Sequence, residues 1–169
     1  MKKFTIIGLL ALLVAIIAPL WATLSGMSGL MTGPVALICA GLYVANGSKI
    51  GNALKITLGF LAGNFWAYFV MLTMGALGGS GINPNLLLFL VLLVYVLVAV
   101  FIAGYLDKIF DLSAWLGGWA ITLQLLGPVA PTDYPKWLLH IGIAMVAGVW
   151  LIGVLITSAH AYLVSRGSK

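Results

Sequence analysis

Three acidic and eight basic side chains are all the formal charge this chain carries, 7% of its 169 residues. A soluble domain uses about 25% charged residues to cover its surface, so a wholly water-facing fold is excluded. Cysteine is nearly absent as well. The single Cys39 can build neither a disulfide framework nor a metal knuckle, and within an apolar run it reads as a small packing residue. The three acids, Asp107, Asp111 and Asp133, fall near expected helix ends. No serine, histidine and carboxylate share one leaflet in a form suited to nucleophilic catalysis, and no Cys/His ligand set exists. An enzyme, a metal and a cofactor are therefore not expected. Ion-coupled pumps use a carboxylate or histidine inside the membrane, and none is expected at a span midpoint here.

What the chain does have is apolar length. Hydrophobic residues make up 63% of it, and the mean hydropathy is +1.21. This is the composition of an integral membrane protein, one domain over 1–169 with the lipid bilayer as its surroundings. A span needs about 20 mostly apolar residues. Candidates are 4–24, 32–45 (extended back towards Met27), 51–77, 86–105, 110–126 and 138–163. The expected fold is all-α and polytopic, with six transmembrane helices. Pro34 would fall some way inside the second span and kink or break it.

The net charge of +5 would suggest nucleic acid in a soluble chain, but here the basic residues sit at the ends of apolar runs. With the N-terminus inside, Lys2, Lys3, Lys49, Lys55, Lys108, Arg166 and Lys169 are cytoplasmic and only Lys136, beside Asp133, lies outside. That is the positive-inside bias. It predicts cytoplasmic termini and gives nucleic acid no part. The start MKKFTIIGLLALLVAIIAPLWA also has the outline of a secretory signal. Its apolar run is longer than an ordinary h-region, however, and Leu20-Trp21-Ala22 is a poor cleavage site, so an uncleaved first span is expected.

Three spans plus three spans is the count at which a duplicated unit inverts. AlaGlyAsnPheTrp at 62–66 echoes AlaGlyValTrp at 147–150, and the second and fifth spans are both short and carry glycine. Half-repeats over 1–77 and 84–169 are one reading. Chance recurrence of small residues in an apolar chain is the other.

Asn64 lies at the centre of the third span, where a polar group facing lipid costs several kcal/mol, roughly, unless it is hydrogen-bonded. Thr57, Asn64 and Met71 recur on one stripe. Gly59 and Gly63 form a G-x-x-x-G close-packing pair beside it, with Trp66 near. In the fifth span Ser113, Gly117, Ile121 and Gln124 share a face, and Asp111 is expected to cap that helix. In the sixth, His140 lies near one end, Gly148 continues its face, and His160 lies near the other end. Two uses fit. Asn64 and Gln124 would line a narrow path, with Thr57, Trp66, Trp119, Trp150 and His140 around it, because amides donate and accept without a charge barrier. Or each amide makes an interhelical bond, worth about 1 kcal/mol. AsnProAsn at 83–85 occurs once and reads as a turn before the fourth span rather than a water-channel box.

The run from LWATLSGMSGL through GPVALICAGLYVANGSKIGNALK to LGFLAGNFWAYFV resembles a family of small bacterial inner-membrane proteins of unknown function, typified by YcdZ. The likeness is strongest over the first three spans. It implies a short six-span protein of the bacterial inner membrane and carries no catalytic or binding residue with it. The function expected from the residues is a passive channel or facilitator for a small polar, neutral solute such as urea, an amide or a small metabolite, assembled as a homo-oligomer with one pore per subunit. A secondary transporter or exporter working by alternating access, and a non-transporting subunit that binds a protein partner, are the alternatives.

Overall fold

The computed structural model describes residues 3–30 and 32–167, and among them all regular structure is helical. The order is α1 (Lys3–Met27), α2 (Gly33–Ala45), α3 (Ile50–Leu77), α4 (Pro84–Tyr105), α5 (Leu112–Leu126), a 3-10 turn (Pro131–Asp133), α6 (Tyr134–Ala147), a π-helical segment (Gly148–Val154) and α7 (Leu155–Gly167). The last four helical stretches follow one another without a break, giving an apolar run of 36 residues from Pro131 to Arg166. Four helical stretches are long and apolar enough to cross a membrane: 6–27, 50–77, 84–105 and 131–166. At 13 and 15 residues, α2 and α5 fall short of the length that crosses a hydrocarbon core unaided.

Helix ends follow local chemistry. Asn83 accepts from the amides of Asn85 and Leu86 at 3.0 and 3.4 Å and precedes Pro84, so AsnProAsn starts α4. Asp111 accepts from the Ala114 amide at 2.9 Å and caps α5, as expected. The second span is corrected. Met27 is the last residue of α1, α2 begins only at Gly33, and Pro34 sits in the first turn of α2. There proline's missing N–H has no intrahelical partner to lose, so it starts a short helix instead of kinking a longer one.

The chain divides into two compact units. One runs up to Leu54 and resumes at Ile143; the other is Lys55–Gly142. In the first unit, Ala36, Ala40, Ile152 and Ile156 form a buried seam between α2 and the last helix, and Leu10, Leu13, Ile17 and Trp21 of α1 pack on it. Trp21 donates its indole N–H to the Gly33 carbonyl at 3.0 Å, tying α1 to the start of α2. A Cβ on Gly148 would lie 2.7 Å from the Ala36 Cα, so backbone meets backbone where the π-helical segment crosses α2. After α2 the chain turns through Gly47 and Ser48, both at positive φ (84° and 55°).

In the second unit α3 and α5 make an equally close crossing. A Cβ on Gly63 would meet the Trp115 carbonyl and lie 2.6 Å from the Trp119 amide; one on Gly59 would lie 2.5 Å from the Asp111 carbonyl. The matching glycine on α5 is Gly118, whose Cβ would strike the Phe60 backbone, and not Gly117, where the nearest contact is an ordinary 3.5 Å. Trp66 then ties α3 to α4, donating to the Tyr95 carbonyl at 3.0 Å with its ring edge-on to Trp115 and Tyr95.

Candidate functional site

Asn64 is buried on α3 and uses both ends of its amide. The nitrogen donates to the Leu138 carbonyl of α6 at 2.9 Å, and the oxygen accepts from the Thr122 hydroxyl of α5 at 2.9 Å. Gly142, one turn beyond Leu138, leaves it room, since a Cβ there would lie 3.3 Å from the amide nitrogen. Three helices of the second unit are thus joined through one side chain. Gln124 is not part of this. It is exposed, whereas Thr122 is fully buried, because two residues along a helix is about 200° of rotation. Asn64 and Gln124 therefore do not face a shared space.

Of the other residues singled out from the sequence, Thr57 and Trp119 are buried in the second unit and Trp66 is its cross-brace. The Trp119 indole N–H has no acceptor among the described residues. His140, on α6, is half-buried. Trp150 belongs to the π-helical segment of the first unit and is 37% exposed.

Replacing Asn64 by leucine should lower thermal stability while leaving the helical content intact. The Thr122 hydroxyl and the Leu138 carbonyl would lose a partner, and an unsatisfied buried group costs about 1–3 kcal/mol. A double-mutant cycle with Thr122→Val, read from melting curves in detergent, should return a coupling of about 0.6–1.7 kcal/mol. Additive effects would show that the bond contributes nothing.

A large open space lies in the first unit. A cavity of about 860 Å³ is bounded by α1 (Leu10, Val14, Ala18), α2 with the turn after it (Leu37 to Ile50), and the last helix from Ile152 to Ala161. Most of its lining residues are aliphatic, and Tyr43, Ser48, Thr157, Ser158 and His160 are among the others. His160 donates Nε2–H to the Ile6 carbonyl at 3.0 Å; a carbonyl only accepts, so the ring hydrogen is on Nε2. Thr157 donates to the Gly153 carbonyl at 2.8 Å and lies 3.2 Å from that of Val154, at the end of the π-helical segment. Such segments are rare and concentrate at functional sites.

The sequence of the chain matches one family model, described as a protein of unknown function (DUF1097), over residues 11–161. The chain belongs to the DUF1097 family. The matched range takes in the Asn64 clamp and every cavity residue except Leu10. No curated protein and no solved structure matches the chain. Among the described residues no group of three or more His, Cys, Asp or Glu gathers as a metal site. Sequence reasoning did not single out the cavity. The available signal was Thr157 and His160 at i and i+3, two polar side chains on one face of an apolar helix.

Proposed function

We propose that this DUF1097 protein is a carrier for a small solute in the bacterial inner membrane, six-spanning with both termini cytoplasmic, and that the cavity of the first unit is its binding site. The cavity is the observation that carries the reading. Its volume of about 860 Å³ falls in the range of small-molecule sites, about 300–1,000 Å³, and so does its make-up of apolar walls with few polar groups. The short helices α2 and α5 support it further, because paired short segments are the sequence and structural mark of carriers. Lys49 stands between the lining residues Ser48 and Ile50, and Arg166 lies just past Ala161; with basic residues inside, the polar end of the cavity belongs at the cytoplasmic face. A channel lined by Asn64 and Gln124 fits less well, since Asn64 is spent on Thr122 and Leu138 and Gln124 is exposed. A carrier site held within one chain needs no second copy, so the homo-oligomer expected of a narrow pore is not required.

Gly41 supplies the test. It lines the cavity, and a Cβ there meets nothing within 4 Å, so Gly41→Phe starts without a clash and puts a ring at the cavity wall. Proteoliposomes offered a panel from urea to short alcohols should take up one class saturably and show counterflow. Gly41→Phe should reduce that uptake to background, and Gly104→Phe, at an equally open site on α4, should not. Uptake linear in concentration and indifferent to Gly41→Phe would favour a channel. No uptake across the panel would favour a subunit without transport activity.

A further inference from the structure

Resting on the carrier reading, we propose that the solute is an uncharged amphiphile with an aliphatic body and a hydroxyl head, taken up from the lipid. Two observations set this class. The first concerns the head. His160 commits Nε2–H to Ile6, and in that tautomer the other ring nitrogen, Nδ1, is an acceptor. Thr157 commits its hydrogen to the Gly153 carbonyl, which leaves only its oxygen lone pairs. The two polar groups fixed by the fold therefore offer acceptors, while the hydroxyls of Tyr43 and Ser48 turn to donate or accept. A hydroxyl head meets both demands, donating to His160 and accepting from a neighbouring hydroxyl. A carboxylate has nothing to donate. An ammonium finds no acid among the lining residues and has Lys49 beside Ser48.

The second observation concerns the route. Val14, Leu37 and Val44 belong to the cavity wall and are 43%, 40% and 48% exposed. The wall thus continues onto apolar surface, and with this unit in a bilayer the opening meets acyl chains. A solute with an aliphatic body partitions there first, because taking CH₂ groups out of water is favourable, and a wholly polar solute does not.

The test is equilibrium binding of tritiated n-decanol to the full chain in nanodiscs, with empty nanodiscs subtracted and decanoate, decylamine and decane as competitors. Saturable decanol binding is expected, resisted by decanoate and decylamine at concentrations where unlabelled decanol displaces it fully. Gly41→Phe should abolish binding. His160→Lys keeps an N–H donor for Ile6 but has no acceptor atom, and it should weaken decanol roughly tenfold, the scale of one hydrogen bond, with decane competition unchanged. Decanoate or decane competing as well as decanol would overturn the hydroxyl assignment, and so would absence of saturable binding. None of these bears on carrier action, which the uptake panel decides separately.

Discussion

Gly63→Ala should leave little stably folded protein, although it adds one methyl group to a helix interior. In most helices that change stabilises by about 0.5–1 kcal/mol, because alanine gives up less backbone freedom on folding. At Gly63 the new Cβ would run into the Trp115 carbonyl and crowd the Trp119 amide at 2.6 Å. Those atoms are helix backbone and have no rotamer to escape into, so α3 and α5 must separate. Separation would open the seat of Trp115 and Trp119, both buried, and pull Asn64 from Thr122. Overpacking costs typically about 1–3 kcal/mol, occasionally more, and here rigid backbone takes all of it. Gly75→Ala, on the same helix, is the control: its Cβ meets nothing within 4 Å, and the melting temperature should hold or rise. Thermal melts of the two variants in one detergent compare them directly. Equal melting temperatures would mean that α3 and α5 do not cross as described.

Gly148→Ala should be nearly as severe, and its effect should be confined to the first unit. The added methyl would lie 2.7 and 2.8 Å from the Ala36 Cα and carbonyl carbon, again with only backbone to receive it. Prising the last helix from α2 would loosen the seam of Ala36, Ala40, Ile152 and Ile156, which also forms one side of the cavity. Amide hydrogen exchange should therefore accelerate along α2 and 148–156 and stay unchanged in α4. Uniform acceleration in both units would show that they unfold together.

Much of this fold was legible in the sequence, and the exceptions have specific causes. The ends of α4 and α5 were readable because Asn83 and Asp111 cap by local bonds that depend on nothing distant. The end of α1 was not, since the apolar run continues past it and the proline that marks the next start can equally be read as a kink. Asn64 was identifiable as a residue that needed a partner, but the partner depends on the rotation of α5, which neither Thr122 nor Gln124 reveals alone. The same rotation selects Gly118 over Gly117 at the crossing. The π-helical segment left no mark at all, because Gly148 to Val154 is as apolar as any ordinary turn, and the close approach of Gly148 to Ala36 and of Gly153 to the Tyr43 ring depends on tertiary packing.

That widened stretch works as a phase shifter. A π-helical turn closes its bonds over five residues where an α-turn uses four, so it absorbs an extra residue without lengthening the rod in proportion. Each residue of an α-helix advances the azimuth by about 100°. Were the stretch to tighten into regular α-geometry, everything beyond Val154 would turn by roughly that angle, carrying Thr157 and His160 off the cavity wall together. The aim of those two side chains is thus held by bonds within the backbone, seven residues long, and a sidestep of a single residue there would redirect both at once.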